Sequence, residues 1–240
     1  MPEQHAGAEA AGVGGEASGV VGNERLTALI GAVVLVLSVA EVATVPTLGS
    51  LMVAHFFVGA LLAGPVLAKT ASTGWRFIRY YTRDPGYRRK GPPRPMLRVI
   101  APILVASTLM LIGSGIALAI TGPAPEILIR VHVVSFLVWL ATIAVHIVAH
   151  VRRVPTLIAE DWHRPLRQKR GNASAPEPSG RRMRLAVNIA VLVPAAIAAV
   201  LLLPTAAPWE GWRGQAVTGP GVLAVAVSIW TAVAVMFKRR

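Results

Sequence analysis

Residues 127–151 read ILIRVHVVSFLVWLATIAVHIVAHV, an apolar run interrupted by Arg130 and by the histidines at 132, 146 and 150. A helix of roughly 20 apolar residues crosses the hydrocarbon core of a bilayer, so this stretch predicts a membrane span. Similar apolar stretches occur at residues 26–46, 49–69, 99–121, 185–207 and 220–237. The sequence therefore predicts an all-α integral membrane bundle of about six transmembrane helices.

The overall composition agrees with a chain whose solvent is lipid. Hydrophobic residues make up 54% of the sequence and the mean hydropathy is +0.59, which is too apolar for a soluble domain of this length. The net charge is +13, but its cations cluster between the apolar stretches, so we expect no nucleic-acid partner. Cysteine is absent, which excludes disulfides, iron–sulfur clusters, thiolate haem ligands and cysteine zinc sites.

The distribution of charge predicts an orientation in the membrane. Lys and Arg are concentrated in residues 76–98, residues 152–184 and the last three residues, whereas the connections at 47–48, 122–126 and 208–219 carry little charge. Short cationic loops remain in the cytoplasm. We therefore expect a multi-pass protein of the cytoplasmic (inner) membrane, with both termini in the cytoplasm.

Composition also divides the chain into four parts. Residues 1–24 are rich in Gly, Ala and Glu and predict a disordered cytoplasmic tail. Residues 25–163 would form a four-helix domain, residues 164–184 a basic flexible linker, and residues 185–240 a C-terminal transmembrane hairpin.

Four histidines lie in the second and fourth predicted spans, where an ionisable residue is costly and suggests a function. His55 lies about 9 Å and His132 about 7.5 Å below the outer ends of their helices, at 1.5 Å per residue. The two imidazoles can therefore lie at one depth and ligate a single haem iron between the helices. The alternative is a polar contact between packed helices. His5 and His163 lie in polar segments, where solvated side chains are expected.

Nearby residues could support a haem at this depth. Gly59 follows His55 by one turn, and Gly115 lies at a similar depth in the third span, so both would leave room for a porphyrin; close helix packing is the alternative. Arg130 could pair with a haem propionate or extend to water. Glu41 is the one acidic residue within the predicted spans, and it could accept a proton from a quinol or lie at the interface.

The pattern of histidines is less regular at the predicted inner end of the same helices. His146 follows His132 by 14 residues, which places it on a similar face about 21 Å deeper, the spacing that two stacked haems need. The residue at the matching position after His55 is Lys69, for which a membrane-anchoring role is expected. A second haem would need His146 or His150 and an unidentified ligand, so one haem is expected and two is the alternative. The spacing of His146 and His150 also occurs in metal sites.

Three sequence features resemble bacterial membrane cytochromes b of the cytochrome b561 and ferric-reductase-like transmembrane group. These are His55-x-x-x-Gly59, the basic loop at residues 69–93, which resembles that of uncharacterised actinobacterial relatives, and His132-x13-His146-x3-His150. The resemblance implies non-covalent haem b, histidine axial ligands on two helices, and electron transfer between a quinol or cytoplasmic donor and an acceptor. It implies that His55 and His132 form one ligand pair and that His146 is half of another, from which Lys69 departs.

The resulting hypothesis is a membrane-bound b-type cytochrome. We expect it to be an electron-transfer subunit of a respiratory-chain oxidoreductase rather than a stand-alone enzyme. Its expected partners are the lipid bilayer, a quinol and a redox protein, and a homodimer is left open. The alternative is a haem-free polytopic membrane protein, either a transporter or a structural subunit.

Overall fold

In the computed structural model, residues 3–89, 95–150, 158–159 and 179–212 are described. Their regular structure is entirely helical, which confirms the predicted all-α class for these residues. The α-helices are α1 (Glu3–Thr44), α2 (Leu48–Tyr81), α3 (Pro85–Arg89), α4 (Pro95–Thr121), α5 (Glu126–His150) and α6 (Ser179–Leu202). Two 3-10 helices, Val45–Thr47 and Leu203–Trp209, follow α1 and α6.

Among the described residues, four helical stretches are long and apolar enough to cross a membrane: Val20–Tyr81, Arg98–Thr121, Glu126–Ile147 and Arg182–Trp209. The first, of 62 residues, reverses direction at the 3-10 turn and so contains both the first and second predicted spans. The sixth predicted span, residues 220–237, lies outside the described residues. Large apolar side chains project from the sides of these helices, with Ile120 71% and Leu201 72% exposed, as expected for surfaces that contact lipid.

Two helices begin inside segments for which the sequence predicts no regular structure, the N-terminal tail and the linker. α1 begins at Glu3, within the tail expected to be disordered, and Ala and Glu in this segment have high helix propensity. α6 begins at Ser179, inside the predicted linker at residues 164–184, whose other residues up to 178 are not described. The boundaries of the remaining predicted parts stay predictions.

The basic segment after the second predicted span is largely helical as well. α2 continues to Tyr81, and Arg83 adopts a positive φ of 65° in the turn that follows. Asp84 stabilises this turn because its carboxylate accepts hydrogen bonds from the backbone N–H groups of Gly86 and Tyr87 at 3.0 and 3.2 Å. The same carboxylate pairs with Arg79 at 2.8 Å.

An antiparallel hairpin of α1 and α2 forms the first half of the bundle. Pro46 lies in the turn between them, where it lacks the N–H group that would continue α1. Far from the turn, the Thr27 hydroxyl donates to Ser72 Oγ at 3.1 Å. Near the turn, Thr44 Oγ1 lies 2.8 Å from His55 Nδ1. The two helices therefore stay in contact over most of the membrane-spanning length.

A second hairpin joins α4 and α5. Gly122 ends α4 with a φ of 73°, and its N–H group donates to the carbonyl of Leu118 at 2.9 Å, as in many helix C-termini. α4 and α5, the two helices that this short turn joins, pack closely along their length. This hairpin brings Ser114 of α4 beside His132 of α5, at 3.0 Å.

Small residues allow α6 to pack on α2. A Cβ atom added to Gly64 would lie 2.8 Å from Ala195 Cβ and 2.9 Å from the carbonyl oxygen of Val191. Ala199 on α6 is fully buried. Helices in lipid associate mainly through such close approaches of small residues.

A hydrophobic cluster closes the end of the bundle at the α1–α2 and α4–α5 turns. Met52, Leu118 and Trp209 are buried in it, and Trp209 comes from the 3-10 helix after α6. Partly buried side chains surround these three: Leu48, Phe56, Leu128, Ile129 and Trp212. The cluster therefore joins α2, α4, α5 and the segment after α6.

We predict that Gly64→Ala destabilises the protein, because the new methyl group would meet the backbone of α6. Overpacking of this kind costs about 1–3 kcal/mol, and the thermal unfolding midpoint in detergent should fall. Gly74→Ala is the matched control on the same helix, since nothing lies within 4 Å of its added Cβ. Equal midpoints for the two variants would contradict the α2–α6 contact.

Candidate functional site

His55 of α2 is held by two polar side chains from α1. Its Nδ1 atom lies 3.0 Å from Glu41 Oε1 and 2.8 Å from Thr44 Oγ1. The side chains of His55 and Glu41 are 20% and 19% exposed. Because the turn at Val45–Thr47 folds α1 back along α2, the last turn of α1, which carries Glu41 and Thr44, comes beside His55 about two turns into α2. The hairpin thus sets the orientation of the His55 ring.

His132 of α5 is held by α4 in the same way. Its Nδ1 atom lies 3.0 Å from Ser114 Oγ. A Cβ atom added to Gly115 would lie 3.2 Å from His132 Cε1. Glycine at this position therefore leaves the space that the imidazole ring occupies.

Carbonyl acceptors for the Thr44 and Ser114 hydroxyls favour one tautomer of each ring. Thr44 donates its hydroxyl proton to the carbonyl of Glu41 at 2.6 Å, so its oxygen accepts from His55 Nδ1. Ser114 likewise donates to the carbonyl of Met110 at 2.6 Å, so its oxygen accepts from His132 Nδ1. In the neutral ring, a proton on Nδ1 leaves a lone pair on Nε2. Both histidines are thus arranged with Nε2 as the available ligand atom, and partners of this type on Nδ1 typically orient metal-ligating histidines.

The two rings lie close to each other although they come from different hairpins. Their centroids are 6.4 Å apart and their planes are inclined by 82°. The two histidines that the sequence predicts at one depth are therefore neighbours in the folded bundle. Metal–imidazole bonds of about 2.0 Å, with each nitrogen about 1 Å from its ring centre, would separate two rings on opposite sides of one metal ion by about 6 Å.

Two other residues that the sequence predicts beside a haem, Gly59 and Arg130, lie next to acidic side chains of the protein. Gly59 faces Glu41, since an added Cβ would lie 3.0 Å from Glu41 Oε1. It therefore makes room for the carboxylate that orients His55. Arg130 pairs with Glu126 at 3.2 Å, and the two side chains are 75% and 81% exposed. The structure thus gives Arg130 a surface ion pair one turn along its own helix.

At the end of the first hairpin away from the Val45–Thr47 turn, Lys69 extends towards α1. Its ammonium group donates to the carbonyl of Thr27 at 3.0 Å, and Gly31 leaves space for it, since an added Cβ would lie 2.8 Å from Lys69 Nζ. This contact joins the two helices of the first hairpin. His146 is partly buried, and the side chain of His150 lies outside the described part of the chain.

Sequence reasoning missed the residues that support the two histidines. It considered Glu41 only as a quinol proton acceptor or an interfacial carboxylate, and it assigned no role to Thr44, Ser114 or Trp209. Pairing positions at nearly equal distances from the α4–α5 turn would have suggested Ser114, but the same rule does not lead from His55 to Thr44. Two buried polar atoms in the described residues near this site have no hydrogen-bond partner, Glu41 Oε2 and Trp209 Nε1.

We predict that both histidines of the ligand-free protein carry their proton on Nδ1. The hydroxyls of Thr44 and Ser114 favour this, because each has a backbone carbonyl within reach of its own proton. Selective ¹⁵N-histidine NMR distinguishes the tautomers, and His55→Gln and His132→Gln assign the two signals. Ser114→Ala removes the hydroxyl beside His132 Nδ1 and should change the signals of that ring. Ser107→Ala is its control and should leave them unchanged, because Ser107 is a buried serine of the same helix whose hydroxyl bonds to the backbone of Leu104. A proton on Nε2 of either ring in the wild type would contradict the assignment.

Comparison of the chain with protein-family models, curated proteins and solved structures gives no match.

Proposed function

We propose that the protein is a membrane-bound b-type cytochrome that holds haem b between His55 and His132 and transfers electrons. The observation that carries the proposal is the pairing of two intramembrane imidazoles at 6.4 Å, each with its Nδ1 atom bonded and its Nε2 atom available. When bound, haem b supplies reversible one-electron chemistry at its iron.

The separation of the helices that carry these histidines supports the proposal. Within the described residues, α4 and α5 pack closely along their length, as do α1 and α2, whereas α2 and α5 make few close backbone contacts. A flat macrocycle between α2 and α5 needs such a separation. Two histidines supply two ligands to a metal, and a porphyrin supplies the other four.

The residues around the rings also fit a rigid ligand site. Ligand sites in helical bundles are built from side chains on facing helices, and His55 and His132 meet this description. Glu41, Thr44 and Ser114 orient the rings before any ligand binds. A carboxylate on the Nδ1 side raises the basicity of an imidazole ligand, so Glu41 would favour the ferric state of a metal bound to His55.

The alternative is a haem-free membrane protein in which the same residues form a polar contact between hairpins. The buried Glu41 Oε2, which has no hydrogen-bond partner, is compatible with either function. Visible absorption of the purified, dithionite-reduced protein separates them. A sharp α band of a low-spin b-type haem supports the cytochrome, and its absence favours the alternative.

Electron transfer requires partners. On the orientation predicted from charge, the haem would lie near the outer side of the cytoplasmic membrane. A quinol would be one donor, and a redox protein could bind the cytoplasmic face. These assignments, like a homodimer, belong to the proposal.

We predict that His55→Ala and His132→Ala each abolish the low-spin haem spectrum, because loss of either ligand leaves a five-coordinate iron or an empty site. Absorption and electron paramagnetic resonance spectra of the purified variants measure this. Thr142→Ala is a control, since Thr142 is a polar residue of α5 whose hydroxyl bonds to its own helix backbone. A wild-type low-spin spectrum in both histidine variants would refute the ligand assignment.

We also predict one haem per chain. Lys69 is engaged with Thr27 on α1, so it does not complete a second site with His146. A pyridine haemochrome assay against protein concentration gives the stoichiometry, and His146→Ala should leave the spectrum nearly unchanged. Two haems per chain, with one lost in His146→Ala, would show that an inner site exists.

A further inference from the structure

Trp209 is a buried hydrogen-bond donor without an acceptor. It is 6% exposed, and its indole Nε1 atom is shielded from solvent and has no hydrogen-bond partner. Its ring contacts Phe56 and Trp212, with centroid distances of 6.0 and 5.3 Å. Leaving such a donor unpaired is unfavourable, and buried indole N–H groups usually find a partner.

The position of Trp209 relates it to the candidate ligand pair. It packs with Met52, Leu118 and Ile129, which lie three residues from His55, Gly115 and His132, respectively. Three residues are nearly one helical turn, or about 4.5 Å along the axis. Trp209 therefore lies about one turn beyond the histidines, on the side of the hairpin turns.

A flat group ligated by α2 on one side and by α5 on the other would extend parallel to both helices. One part of its rim would then reach towards the level of Trp209. The rim of haem b carries two propionate side chains, which are strong hydrogen-bond acceptors. Arg130, predicted for this role from the sequence, is exposed and pairs with Glu126.

We propose that Trp209 donates its indole N–H group to a propionate carboxylate of the haem held by His55 and His132. This inference rests on the proposed function and extends it to the segment after α6. Through this bond, the C-terminal part of the chain would close the haem site from its outer end. The bond would satisfy the unpaired donor and retain the haem without touching its iron.

The test compares Trp209→Phe with Trp212→Phe in the purified haem-loaded protein. Phenylalanine keeps an aromatic ring and removes the N–H group. Trp212 packs on Trp209 but is only partly buried, so its variant controls for altered aromatic packing. Transfer of haem to excess apomyoglobin measures the rate of haem loss. Loss of one charge-assisted hydrogen bond should accelerate release by about ten- to hundred-fold in Trp209→Phe, with a low-spin spectrum in both variants.

Reconstitution with haem dimethyl ester identifies the acceptor. Esterification removes the carboxylate charge, so wild type and Trp209→Phe should then release the pigment at similar rates. If Trp209→Phe releases native haem no faster than Trp212→Phe, or if the ester leaves their difference unchanged, Trp209 does not bind a propionate. A wild-type protein that binds no haem would instead refute the proposed function itself. Thermal unfolding of both variants shows whether a faster release reflects a general loss of stability, which would also count against the proposal.

Discussion

The hydrogen bonds to the two Nδ1 atoms are the interactions on which the arrangement of the candidate site depends. Polar groups inside a bilayer have no water to bind, so they must find partners within the protein. Glu41 and Thr44 supply these partners to His55, and Ser114 supplies one to His132. Each partner comes from the neighbouring helix of the same hairpin, so hairpin packing and ring orientation depend on each other.

The two hairpins and α6 have different roles in the arrangement of the candidate site. α1 and α4 orient the histidines of α2 and α5, whereas α6 packs on the far side of α2 through Gly64 and Ala195. The 3-10 helix after α6 returns Trp209 to the cluster beside Met52 and Leu118. The C-terminal segment thus reaches the end of the bundle at which His55 and His132 lie.

The end of the first hairpin opposite its turn holds a separate group of polar contacts. Lys69, Thr27, Ser72 and Asn23 form a polar network between α1 and α2. This network satisfies an ammonium group within the hairpin and stabilises the antiparallel pair. His146 follows His132 by 14 residues in α5, and the residue 14 positions after His55 in α2 is Lys69. The Lys69 side chain is directed towards Thr27 of α1.

Sequence by itself determined the helical class, the apolar stretches and the shared depth of His55 and His132. Hydrophobic length and the fixed rise of a helix set these features, and both can be read along one chain. Tertiary structure decided which side chains surround the histidines, because contacts between helices depend on the turn that joins them and on helix rotation. Glu41, Thr44 and Ser114 became ring partners only when each hairpin closed, Arg130 was directed to Glu126, and Trp209 reached the cluster through a segment distant in sequence. Periodicity along a single helix cannot specify such contacts, since it fixes a residue's depth and face but not the neighbour that the face meets.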